Sequence, residues 1–258
     1  MPEIPGLGAQ TIAGFVLVLG RIAPLFILAP MFSSKMIPPR VRGIACVALA
    51  IGMTPLALRN EKLSLDTANL AGLLIKELLV GLAFAFAIGA FISALSVAGT
   101  LLDNSIGFSF GSLVDPITGT QGTVLQQFHS MVGVAIFIAI GGDHWAIQGL
   151  AKTYDLVPLS GMPNFNALAA GAMHAFVGLS VAAIELAAPV LLALLVTDAA
   201  FGMVARAVPQ VNVFSVGFPS KVLVGLLLIG ATLPFTASWL ADGLSGAISD
   251  ALRSIQAI

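Results

Sequence analysis

The sequence predicts an all-α integral membrane protein of about six long apolar helices, and three observations predict it. Of its 258 residues, 58% are hydrophobic and only 9% are charged, against about 25% charged in a soluble domain. The apolar residues fall in long runs, and a membrane crossing takes about 20 of them per helix. Short loops take up the rest of the length, which leaves no room for a separate soluble domain. Residues 1–258 therefore read as a single membrane-embedded domain.

Composition also excludes several functions. The 11 Lys and Arg against 12 Asp and Glu give a net charge of −1, so no basic surface points to nucleic acid. Cys46 is the only cysteine, which excludes an internal disulfide and a thiolate metal cluster and reads as apolar filler. The start MPEIPGLGAQ has no positive charge and runs into a long apolar segment, so no cleavable signal peptide is expected.

The first apolar segment, about Thr11–Phe32, carries Arg21 near its middle, between Gly20 and Pro24. A cation there is costly against lipid and needs a partner helix, a carboxylate or water. Phe32–Arg42 follows, with Lys35, Arg40 and Arg42 around Pro38-Pro39, and reads as a short stiff connection. Three cations without a nearby acid favour the cytoplasmic side. A second segment, about Ile44–Leu58, is short for a span and carries Pro55, and a mixed-charge loop covers Arg59–Asp66.

From Asn69 to Leu102 the chain is apolar for longer than one perpendicular crossing needs, so this helix must tilt, bend or extend beyond the bilayer. Gly81, Ala85, Gly89 and Ser93 recur every fourth residue, with Ala90, Ala94 and Ala98 on an adjacent face. Small residues at that spacing let two helix backbones approach closely. Lys76 and Glu77 are sequence neighbours, expected to point about 100° apart on a helix. Glu77 could meet Arg21 across helices, which the sequence does not show, and a buried carboxylate there serves as a structural ion-pair partner more readily than as a proton relay.

Gly99–Gly122 is the clearest glycine-rich, polar interruption in the chain. Gly107 and Gly111 bracket Phe108, Ser109 and Phe110, placing two bulky rings on a backbone with little steric restraint. Asp115-Pro116 then offers a tight turn. Apolar rings on such a loop between membrane helices make either a packed re-entrant element or a seal.

Val124–Leu150 is apolar but includes Gln126, Gln127, His129 and the cluster Gly141–Trp145, whose paired glycines loosen or end a helix. Asp143-His144 lacks a third ligand at metal-site spacing. His174 reads as a hydrogen-bonded core or interface residue. A linker, Lys152–Asn166, leads to the long segment Ala167–Val196, where Glu185 precedes a proline kink at Pro189. Val208–Leu228 then reads as irregular backbone, with Pro209, Gln210, Asn212, Pro219 and Lys221 breaking an apolar course. Such backbone at membrane depth needs cover from protein or a watery cavity. A last segment, about Val222–Leu240, precedes a mildly amphipathic tail, Ala241–Ile258.

Several motifs stand in a characteristic order: RIAPLF…APMF (Arg21–Phe32), IPPRVR (Ile37–Arg42), AGTLLDNSIGFSFGSLVDPITGTQ (Ala98–Gln121), FIAIGGDHW (Phe137–Trp145) and PQVNVFSVGFPSK (Pro209–Lys221). Together they resemble the FliR/SctT family of type III secretion export-gate proteins over most of the chain, and VGFPSK is similar to its flagellar branch. Gly142-Asp143-His144 departs from the Asp-Gly-His common in that family, so no role passes to Asp143. The resemblance implies a bacterial inner-membrane protein of the flagellar basal body, built of tilted hairpins in a helical pore assembly with FliP and FliQ homologues. It places an FlhB homologue at the cytoplasmic entrance, an FlhA homologue beneath, and unfolded flagellar proteins as cargo. The loop matching Gly107–Gln121 would plug the closed channel, and Pro209, Gln210, Asn212 and Lys221 would contact partners. Arg21, Glu77, Gly81, Ala85, Gly89 and Glu185 would supply helix packing or buried charge.

Two other classes were open to the same residues. Arg21, Glu77 and Glu185 in apolar segments suit a small-solute secondary transporter, but no convincing internal repeat accompanies them. An intramembrane hydrolase needs a nucleophile and base, and Ser105, Ser109 and Ser112 have no histidine at helical spacing. No cofactor motif and no GxxxxGK[ST] phosphate loop is present, so an enzyme is not expected.

Overall fold

A computed structural model of the chain describes residues 8–30, 32–33, 37–59, 63–109, 123–210 and 212–256. Among them every regular element is a helix: α1 (Ala9–Leu28), α2 (Pro39–Ala57), α3 (Thr67–Ile106), α4 (Val124–Ala139), α5 (Gly142–Leu156), α6 (Phe165–Ala207) and α7 (Val213–Gln256). Five are long and apolar enough to cross a membrane. The count becomes six when α4 and α5, bent by 72° at a short break, form one span. The break falls at Gly141, whose φ of 70° is the left-handed conformation that glycine adopts freely.

Several boundaries differ from the sequence expectation. The Phe32–Arg42 connection ends early, because α2 starts at Pro39 and takes Arg40 and Arg42 into its first turn. A proline at the first helical position lacks only an N–H that no helix would use there. The polar stretch after Gly99 remains helical to Ile106. Lys152 belongs to α5, which leaves a shorter connection before α6. The irregular backbone expected over Val208–Leu228 is confined to the residues before Val213. From there α7 runs as one helix through Pro219 and Pro234 and absorbs the expected tail. Continuing the helix is favoured because a free backbone polar group in an apolar medium costs several kcal/mol.

The chain forms two compact units. The first comprises Met1–Phe91, Phe137–Gly178 and Gly243–Ile258. In it the small-residue stripe of α3 meets α1. A Cβ on Gly81 would collide with the carbonyl oxygen of Arg21, and one on Gly89 would lie 3.0 Å from that of Leu28. Ala85, between them, is buried. Gly149 of α5 likewise receives Phe84 and Ile248, and Gly243 receives Phe91.

The second unit comprises Ile92–Ile136 and Leu179–Asp242. Ala94, Ala182 and Ala183 form a buried cluster with Trp239 packed against it. Gly99 lies so close to Leu125 and Gln126 that an added Cβ would come within 2.6 Å of the Leu125 carbonyl oxygen, so α3 and α4 touch backbone to backbone. Gly225 of α7 similarly accepts the side chain of Ile106 at the end of α3.

Candidate functional site: the base of the central loop and a buried ion cluster

The second unit holds the end of α3 and the start of α4, which flank residues 110–122. α3 ends at Ile106, and Gly107 follows with φ 105° while its N–H donates to the Asp103 carbonyl oxygen at 2.9 Å. That conformation is strained for any residue with a Cβ, so a glycine suits this helix end. Phe108 and Ser109 come next and are half-buried. Phe110, Gly111, Asp115 and Pro116 lie outside the described residues.

The far end of the loop is tied down by Asp103, which the sequence reading passed over. Its carboxylate is fully buried on α3 and caps the start of α4. Oδ1 accepts the Leu125 N–H at 3.2 Å, and Oδ2 accepts the Gln126 N–H at 2.9 Å and the Thr123 hydroxyl. Thr123 N–H donates to Gln126 Oε1 at 3.2 Å. Half of a capping box is thus present, with the aspartate taking the place the threonine hydroxyl would normally hold. The helix dipole adds to the attraction, since α4 presents its positive end to the carboxylate. Thr-x-x-Gln at Thr123–Gln126 and a lone acid inside an apolar run were the visible signals.

The first unit holds the buried charges. Arg21 and Glu77 are fully buried and paired at two points, Nε to Oε2 at 2.5 Å and Nη2 to Oε1 at 2.9 Å. Arg21 also donates from Nη1 to the Thr153 carbonyl oxygen at 3.0 Å and from Nη2 to that of Val157 at 2.8 Å. Its guanidinium stacks 4.3 Å from the centre of the Tyr154 ring. The buried Tyr154 hydroxyl has no hydrogen-bond partner among the described residues.

Lys76 corrects the sequence expectation. Its Nζ curls back to lie 2.6 Å from Glu77 Oε1 and donates to the carbonyl oxygens of Pro158, Leu159 and Gly161 at 3.0, 2.8 and 3.1 Å. Adjacent helical positions do diverge, but a four-carbon stem is long enough to swing its head onto a neighbouring carboxylate. Two cations share one carboxylate here, and the surplus positive charge is met by the Thr153 and Val157 carbonyls at the C-terminal end of α5, the negative end of its dipole, and by those of the turn that follows. These groups bind each other and the backbone, an arrangement that joins α1, α3 and α5.

The other expected site residues divide. Gly81, Ala85 and Gly89 pack α3 on α1, as described. Glu185 is not a buried charge of this chain: it lies on the exposed face of α6, and His174, also exposed, is not a core histidine. Pro209, Gln210 and Asn212 are exposed between α6 and α7, while Lys221 pairs with Asp198 at 2.9 Å. Asp143 and His144 are exposed at the start of α5.

Fold and site together define a polytopic helical membrane protein whose buried polar groups are spent on holding helices and one loop base in place. The family described as bacterial export proteins, family 1, matches residues 12–247, and the chain belongs to it. Among its relatives, the flagellar biosynthetic protein FliR of Bacillus subtilis (strain 168) is 30% identical over 83% of this chain and 84% of its own length. FliR of Escherichia coli (strain K12) is 28% identical over 84% and 83%. The surface presentation of antigens protein SpaR of Salmonella typhimurium is 27% identical over 94% and 92%.

Proposed function

We propose that this chain is a non-enzymatic, pore-forming subunit of a flagellar type III protein export gate in the bacterial inner membrane. The observation that carries the assembly reading is the length of apolar surface on α6. Exposed Phe165, Met173, Phe176, Val181, Ile184, Leu192, Leu195 and Val204 mark it from end to end. At about 1.5 Å per residue, Phe165 to Val204 covers about 58 Å. A hydrocarbon layer of about 30 Å covers only about 39 Å of a helix tilted by 40°. The remainder needs protein around it, in keeping with family membership.

FliP and FliQ homologues are the expected neighbours in the pore, with FlhB and FlhA homologues at its cytoplasmic side and unfolded flagellar proteins as cargo. The Gly107–Pro116 segment acts as the plug of the closed channel. Phe108 and Phe110 exclude water from the constriction and yield to a passing chain. The capped base supports this reading, because it anchors both ends of the loop that carries the rings. Purification in mild detergent tests the assembly: FliP and FliQ homologues in one particle are expected, and a solitary chain would refute it.

A further inference from the structure

The first unit contains a groove that none of the roles above uses. Phe26 of α1, Phe32 in the connection after it, Val41, Ala45, Ala48 and Leu49 of α2, and Ile147 of α5 line it, with a volume of about 490 Å³. Val41, Ala45 and Ala48 are exposed, so the groove opens on the outer side of α2, a candidate membrane span. Among the described residues its one charged lining residue is Arg42, whose Nη2 donates to the Ser33 carbonyl oxygen at 3.0 Å, fixing the guanidinium beside the apolar wall.

Along α1, α2 and their connection the charge has a single sign. No acidic residue occurs between Glu3 and Glu61, whereas Arg40 and Arg42 both lie in the first turn of α2. That turn has no acidic residue and no side-chain cap, so the positive end of the helix dipole adds to the arginines. An apolar slot between membrane helices with cations at one end is complementary to a lipid carrying an apolar tail and a negative head. Arginine, with its fork of donors, matches phosphate oxygens especially well.

We propose that this groove binds an anionic phospholipid, one acyl chain lying along α2 and the phosphate seated at Arg42 and the α2 N-terminus. Bound there, the lipid would fill the space between α1, α2 and α5 and fix the chain's depth at one membrane surface.

Native mass spectrometry of the full-length protein, delipidated in detergent and titrated with phosphatidylglycerol or phosphatidylcholine, tests this. One tightly retained phosphatidylglycerol is expected, with about tenfold preference over phosphatidylcholine, or about 1.4 kcal/mol. Arg42→Gln should erase the preference while leaving weak lipid binding, and Ala48→Trp, which fills the slot from its exposed wall, should abolish retention of both. Equal retention of the two lipids by the wild type, or unchanged retention in Ala48→Trp, would overturn the proposal. So would a photo-crosslinker at position 48 that captures a protein rather than lipid in native membranes.

Discussion

Replacing Asp103 with alanine removes three hydrogen bonds at once from the start of α4. Bonds to a charged acceptor contribute about 1.5–3 kcal/mol each, and a stranded buried amide costs about 1–3 kcal/mol. The losses will not simply add, because Thr123 can rotate its freed hydroxyl to accept the Gln126 N–H and complete an ordinary capping box. The net penalty of Asp103→Ala should therefore be about 2 kcal/mol, near the upper end for a cap. Asp103→Ala/Thr123→Ala, which forbids that rescue, should approach about 4 kcal/mol. Thr123→Ala alone should do little, since the carboxylate still caps both amides. Hydrogen exchange of a peptide covering residues 123–130, followed by mass spectrometry in detergent, reads these energies as local opening. At about 1.4 kcal/mol per decade, exchange at Leu125 and Gln126 should quicken about 30-fold in Asp103→Ala and on the order of 10³-fold in the double variant. Equal rates in Asp103→Ala and the wild type would refute the capping argument.

Three further outcomes follow from the same contacts. Glu77→Gln strands the two buried cations Arg21 and Lys76 and should destabilise the protein by about 3–5 kcal/mol, whereas Arg21→Met, which leaves Lys76 to balance the carboxylate, should cost less. Thermal unfolding in detergent measures both, and a Glu77→Gln protein no less stable than Arg21→Met would contradict the shared pairing. Tyr154→Phe keeps the ring beneath the guanidinium but deletes a hydroxyl with no partner among the described residues, so its melting temperature should match or exceed that of the wild type. A clear fall would mean that the hydroxyl is bonded. Gly107→Ala forces a Cβ into a positive-φ conformation and should cost about 1–2 kcal/mol, read as faster exchange in residues 101–109. An unchanged rate there would remove the conformational argument for that glycine.

Much of this architecture was legible because lipid simplifies the code. Long apolar runs can only be helices, and Gly81, Ala85 and Gly89 at fourfold spacing announced a close-packing face, though not that α1 is what it meets. Arg21 in the middle of such a run required a partner, and Glu77 supplies it. Helix ends were harder to read. Pro39 begins a helix where Pro38-Pro39 suggested a break, and Pro219 and Pro234 sit within α7, because a membrane helix keeps its course rather than release backbone groups. Lys76 and Asp103 were misread or missed for a different reason. Most of their partners, the carbonyls of Pro158, Leu159 and Gly161 and the amides of Leu125 and Gln126, are backbone atoms brought near only by the fold, so residue type gives at most a partial sign of them, such as Thr-x-x-Gln at Thr123–Gln126. Exposed Glu185 shows the converse, since a charge in an apolar segment need not be buried within its own chain.

The most direct test of the central claim is the resting conductance of the purified export-gate assembly containing this chain in planar bilayers. If Phe108 and Phe110 stop the closed channel, Phe108→Ala/Phe110→Ala assemblies of normal composition will pass ions steadily where the wild type is silent. Intact variant assemblies that stay as tight as the wild type would contradict the plug.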